Sequence, residues 1–285
     1  MRTARLITCL SALVFLCATA SQVGAWGERG HRIVGHVARA LLTPSAKTAL
    51  QQLMGSDDLA TFALYLDQHK DDLEQQIPGS RQWHYDDIPV CATSAPHDHC
   101  PQGQRCASVQ VVRHYTLLSQ RQTPKSQRQF AVRVLAHLVG DMHQPLHAAD
   151  NHDRGGNEIQ VLLPDGQSTN LHAAWDSAFV QHAFGRQSDS AIARRLVQRY
   201  APRATAWQAG SIDLPQMQTW RRETNQAAQT VAYGQLTGFA CGAVRPSMPV
   251  PLSAAYLGAA SQLIEEQLAK AGYRLAAVFN SVFGR

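Results

Sequence analysis

The chain has 285 residues, 45% of them hydrophobic and 16% charged, with a formal net charge of +5. That is ample for one core, and the small charge permits a polyanionic substrate without demanding one. No stretch beyond the N-terminus reaches the ~18 apolar residues of a membrane helix, so no membrane anchor is expected.

The first 25 residues place Arg2 and Arg5 ahead of an apolar run from Leu6 to Ala20, followed by the small residues Val23-Gly24-Ala25. This is the pattern of a signal peptide, with an uncleaved anchor as the alternative. The mature chain is therefore expected to start at Trp26 and to be secreted or periplasmic. Cleavage removes two arginines and no acid, lowering the formal charge to +3. No linker, repeat or low-complexity tract divides residues 26–285, which are expected to form one domain.

Ile33, Val34, Val37, Ala38, Leu41 and Leu42 have helical periodicity. Thr43-Pro44 reads as an N-cap with proline in the first helical position, and Gly55 closes that second helix. A further helix is expected from Leu59 to about Gln76, carrying Asp67 and Lys70. Residues 77–103 hold proline, glycine and cysteine and read mostly as loop. Helices follow over 109–120 and 127–142. Glu158–Leu163 alternates, and Pro164-Asp165-Gly166 is a turn signal, giving one short β-hairpin as the only sheet. Helices resume over 171–184, 190–200 and 214–235, and a long last helix spans 253–283, with Gly272 as a possible break. The fold class is all-α, with histidines projecting inward from packed helices.

Four cysteines remain after cleavage, an even number that suggests two disulfides in an exported chain. Cys100 and Cys106 enclose only five residues and form the natural local pair, leaving Cys91 to reach Cys241. A cysteine zinc site is the alternative, disfavoured by oxidation and by spacing that is not CxxC.

Histidine and aspartate recur at metal-ligand spacing. His137 and Asp141, and again His172 and Asp176, are four residues apart, so each pair shares a helix face. His147 lies just beyond Pro145. In an apolar helix an unpaired Asp141 would be costly, so a metal site is the first hypothesis. Asp67 taken alone reads as a solvated carboxylate in a polar stretch, and Trp26 taken alone as a core tryptophan. Of the 13 histidines, eight (His36, His69, His97, His99, His114, His143, His152 and His182) have no assigned role.

Trp26-Gly27 with Gly30-His31, the WHYDD run at 83–87, GDMHQPLH at 140–147 and LHAAWD at 171–176 occur in this order. Together they resemble the zinc-dependent, single-strand-specific nuclease and 3′-nucleotidase family, over essentially the whole chain from Trp26 onward. The resemblance implies a helical domain with an inward-facing trinuclear zinc site. Asp67, His84 and His137 would hold one ion, and the α-amine and carbonyl of Trp26 with His31 a second. Asp141 would bridge these two, while His147, rather than His143, would hold the third with His172 and Asp176. Lys70, three residues after Asp67, matches the family's basic catalytic residue, and Tyr85 and Asp87 its base-binding aromatic and acid. The implied reaction is attack of a metal-activated hydroxide in line on phosphorus. It would cleave single-stranded RNA and DNA internally, leave 5′-phosphates, and also hydrolyse 3′-nucleotides. A monomer is expected. The alternative reading is a zinc phospholipase C, disfavoured by Asp176 as last ligand and by the short Trp26–His31 gap. A zinc-storage protein would leave Lys70 and the base pocket unused.

Overall fold

Helix α1 (Glu28–Leu41) buries Ile33, Val34 and Val37 on the face that packs against the last helix, α13 (Ala254–Phe283). The computed structural model describes residues 26–91, 100, 103–207 and 210–284. The expected signal segment, residues 1–25, lies outside them, as does most of the loop between Cys91 and Gly103.

The second helix, α2 (Pro44–Met54), starts and stops as its sequence dictates. Thr43 Oγ1 accepts the Ala46 N–H at 3.2 Å, and Gly55 turns the chain at φ 77° while its own N–H caps Gln51. The expected continuous helix over 59–76 is instead three short ones: α3 (Leu59–Phe62), α4 (Tyr65–Gln68) and α5 (Lys70–Gln76). The break has a physical reason. A continuous helix would commit the Ala63 carbonyl to the Asp67 N–H; here it accepts from His137 Nδ1 at 2.6 Å.

A 3₁₀ turn, Ser80–His84, follows within the stretch read as loop. Glu74 ties it to α5, its carboxylate accepting the N–H groups of Gly79 at 2.8 Å and Arg81 at 3.0 Å. Helices α6 (Ala107–Ser119) and α7 (Lys125–Asp141) pack together, and the last third of α7 is buried on every side. After the 3₁₀ turn Pro145–His147 comes the hairpin, β1 (Gln160–Leu162) with β2 (Ser168–Asn170), in antiparallel register Val161 opposite Thr169. A third strand, β3 (Val250–Pro251), adds parallel to β1. Two residues containing a proline carry no periodic signal, and the hairpin reading omits them.

The expected helix over 171–184 is interrupted. Leu171–Ala173 (α8) runs into a π-helical turn, Ala174–Ala178, before α9 (Phe179–Phe184). Helices α10 (Asp189–Tyr200), α11 (Ala204–Trp207) and α12 (Leu214–Ala227) follow, and a second π turn, Ala228–Ala232, ends the stretch read as one helix to 235. Helix α13 does not break at Gly272. A Cβ there would lie 2.3 Å from Val37 Cγ1, so this glycine lets α13 approach α1 closely. The structure is mainly helical with one small sheet among the described residues, and both expected disulfides form, Cys91–Cys241 and Cys100–Cys106.

His114 sits buried between Trp83 and Phe130, donating through Nδ1 to the Gln110 carbonyl at 2.9 Å. Burial lowers its pKa to about 4, below the 6.5 of an exposed histidine. The unfolded chain therefore binds the extra proton first, and stability present above pH 6.5 is lost as pH falls toward 4, by about 3 kcal/mol. Denaturant unfolding of the wild type and of His114→Gln should show a shallower loss in the variant over that range. Equal slopes would contradict the assignment.

Candidate metal centre

Seven elements, α7 among them, bring the candidate side chains together. Helix α1 contributes His31, α4 Asp67, the 3₁₀ turn His84, α7 His137 and Asp141, the next 3₁₀ turn His147, α8 His172 and the π turn Asp176. Asp141 is fully buried at the centre, with its two oxygens facing different groups. Oδ2 lies 3.0 Å from His84 Nδ1 and 3.2 Å from His137 Nε2; Oδ1 lies 3.3 Å from His31 Nε2. Asp67 Oδ1 closes the first group, 3.8 Å from His137 Nε2 and 3.9 Å from His84 Nδ1. His147, His172 and Asp176 form a separate group, with Nε2 atoms 3.9 and 3.5 Å from the two Asp176 oxygens.

The rings are aimed from behind. A carbonyl can only accept, so His137, His147 and His172 each donate Nδ1–H to one: Ala63 at 2.6 Å, His84 at 2.7 Å and Gly155 at 2.7 Å. That fixes the tautomer and turns each Nε2 toward the cluster, the arrangement that orients metal-binding imidazoles. Gly140 matters for the same reason: a Cβ there would stand 3.1 Å from His31 Nδ1. Trp26 packs beside it and donates its indole N–H to the Gly140 carbonyl at 3.0 Å. Trp26 and His31 thus adjoin the residue preceding Asp141.

Four atoms of the cluster lack partners of their own. His31 Nδ1 and Nε2, Asp141 Oδ1 and Asp176 Oδ2 are buried without a hydrogen bond, a costly state unless something else satisfies them. The charges say the same. Burial drives the Asp176 carboxyl well above the usual range despite its bond from Gln144, and drives His147 down to about 3. His137 would also be kept neutral by burial, but the facing Asp141 and Asp67 carboxylates outweigh this and raise it to about 9. Buried imidazoles and carboxylates packed together around orphaned atoms fit divalent cations, which would displace the His137 and Asp176 protons. Among the described residues, three His/Asp groups have ligand atoms within 4.8 Å of one another: His31–Asp67–His137, His84–His137–Asp141 and His147–His172–Asp176.

His143 is elsewhere. Its Nε2 meets the buried Arg274 guanidinium at 2.9 Å, and its Nδ1 donates to Val139 O. The sequence gives Gln144, the next residue, no role. It is fully buried and spans the site, donating to Asp176 Oδ1 at 2.7 Å and accepting the Leu146 N–H.

The cluster opens into a cleft of about 630 Å³ walled by Asp67, Lys70, Tyr85, Asp87 and His172, with Arg81, Arg154 and Asn157 as further lining that spacing did not reveal. Asp87 takes a left-handed backbone, φ 43°, just before the buried Ile88. The preceding Asp86 is buried instead and accepts from Ser108 Oγ, so the two acids of WHYDD part company. Burial and the nearby Asp87 raise the Tyr85 hydroxyl pKa, leaving a neutral, half-buried ring facing the cleft.

The S1/P1 Nuclease family model matches residues 26–284. The chain belongs to the S1/P1 nuclease family. It is similar to Nuclease S1 of Aspergillus oryzae, 29% identical over 88% of this chain and 90% of that one. Nuclease PA3 of a Penicillium species is 30% identical over 91% and 98% of the two chains, and Endonuclease 2 of Arabidopsis thaliana 27% over 95% of each. Membership makes the protein a hydrolase acting on nucleic acid, and the His/Asp cluster in the cleft is where this S1/P1 family member can hold metal.

Proposed function

We propose that this chain is an exported zinc-dependent phosphodiesterase that cleaves single-stranded RNA and DNA endonucleolytically, leaves 5′-phosphates, and hydrolyses 3′-nucleotides. One observation carries the reading: Asp141 divides its oxygens between two groups of nitrogen donors, beside a third group, with buried donor atoms left unsatisfied.

Asp67, His84 and His137 would hold one zinc, Trp26 and His31 a second with Asp141 between them, and His147, His172 and Asp176 the third. The mutual spacing of the first and last sets supports this division. When bound, zinc would supply Lewis acidity, lowering the pKa of water to about 7 and drawing charge from phosphate oxygens. The protein's own groups do the rest. Lys70 places an ammonium at the cleft beside Asp67, where it offsets charge accumulating on the phosphoryl oxygens. Tyr85 offers a ring for stacking one base, worth about 1–3 kcal/mol and tolerant of sequence. Asp87 accepts from base amines. A base can reach that ring only when unstacked from a duplex, which favours single strands. Two disulfides among the described residues support an oxidising compartment. Residues 26–285 would act as a single monomeric domain.

The direct test gives metal-loaded protein starting at Trp26 four substrates: single-stranded DNA, RNA, 3′-AMP and phosphatidylcholine. Hydrolysis of the first three is expected, and lipid hydrolysis alone would contradict the reading. In the same assay Lys70→Met should lower kcat about 10²- to 10³-fold, the loss typical of one charge-stabilising donor, with metal content intact. Undiminished turnover would remove Lys70 from the mechanism.

A further inference from the structure

A second cleft, of about 660 Å³, adjoins the first. It shares Asp67 and Lys70 with the first cleft and takes Asp176 from the third donor group, so the cluster is walled by both. The remaining lining differs in chemistry. The first cleft has the Tyr85 ring and the arginines Arg81 and Arg154. Among the described residues the second has no aromatic ring and no arginine; its walls are Leu64, Leu163 and Ala178 with the neutral hydrogen-bonding groups Gln68, Gln167 and Thr169, and the exposed Glu28, paired to Arg32, at its edge.

We infer that this second cleft is the subsite for the nucleotide on the 3′ side of the scissile phosphate, which a polynucleotide fills and a 3′-mononucleotide leaves empty. The inference rests on the proposed nuclease reading. Hydrolysis to 5′-phosphates breaks the bond from phosphorus to O3′. The water oxygen joins phosphorus, one water proton ends on the departing O3′, and the phosphate stays with the downstream nucleotide. The nucleoside bearing O3′ is common to 3′-AMP and to a polynucleotide, and it takes the cleft with the aromatic ring. The downstream sugar and base must leave the phosphate by another route, and the second cleft starts at the same Lys70. Without a stacking ring or a guanidinium fork, it grips through amide and hydroxyl contacts available to any base, so downstream sequence preference is weak.

Three substrates separate the possibilities: 3′-AMP, adenosine 3′-(methyl phosphate) and the dinucleotide ApA. Wild type should favour ApA over the methyl ester in kcat/KM by at least about tenfold, the kind of gain remote binding supplies. Leu163→Trp, which fills the cleft from the hairpin, should cut that preference to near unity and leave 3′-AMP hydrolysis within about twofold. Gln167→Trp, on the exposed hairpin turn, checks the result should Leu163→Trp fold poorly. A non-hydrolysable methylphosphonate ApA should likewise bind more weakly to both variants by calorimetry. Equal rates for ApA and the methyl ester in wild type, or parallel loss of ApA and 3′-AMP hydrolysis in both variants, would overturn the subsite. Failure to hydrolyse any of the three would instead overturn the nuclease reading beneath it.

Discussion

Asp141→Asn is expected to empty two of three metal sites and lower phosphodiester hydrolysis by at least about 10⁴-fold, because the barrier reduction from metal catalysis goes with the ions. The substitution keeps the shape of the side chain and removes its charge. That charge is what His31, His84 and His137 share, through contacts of 3.0 to 3.3 Å. Its removal leaves three imidazoles with Asp67 alone as counter-charge, too little for two divalent cations. The group of His147, His172 and Asp176 has its own carboxylate and its own carbonyl anchors, so its ion should persist. The fold should survive too. In the apo protein burial opposes the Asp141 charge, but the facing His137, His31 and His84 outweigh it and hold the carboxyl well below its usual range, so the amide gives up that pairing while keeping the packing. Elemental analysis should therefore fall from three zinc ions to one with the circular dichroism unchanged. Retention of all three ions would deny Asp141 its bridging place.

Adding Gly-Ser ahead of Trp26 is expected to have the next largest effect. If the α-amine and carbonyl of Trp26 close a chelate, only a chain starting at that residue can hold the ion shared with His31. The extension converts an amine of pKa about 8 into an amide with no lone pair to give. It leaves the indole where it is, bonded to the Gly140 carbonyl and packed against Gly30. Zinc content should fall by one per chain and activity by at least about 10²-fold, and proteolytic trimming back to Trp26 should restore both. An extended protein with full zinc and full activity would show that the tryptophan serves only the core.

The candidate site was legible because two HxxxD pairs and an ordered set of motifs name its residues, and the structure places the expected His and Asp side chains together. Helix identities were legible where periodicity and caps agree, as at Thr43-Pro44 and Gly55. What escaped depends on breaks in regular structure that no glycine or proline announces. The interruption at Ala63 frees a carbonyl for His137, and the π turn at Ala174–Ala178 carries Asp176 with it. Gln144 was hidden for a different reason: a buried amide bridging two segments 32 residues apart has no sequence period. The glycine at 272 shows the reverse error, since a residue that often ends a helix here lets two helices touch.

Anomalous diffraction at the zinc edge, from crystals of zinc-loaded protein beginning at Trp26, tests the centre most directly. Three peaks are expected, with Asp141 between the first two and Asp176 at the third. Fewer than three peaks in this cleft, or peaks away from these side chains, would contradict the trinuclear assignment and the hydrolysis built on it.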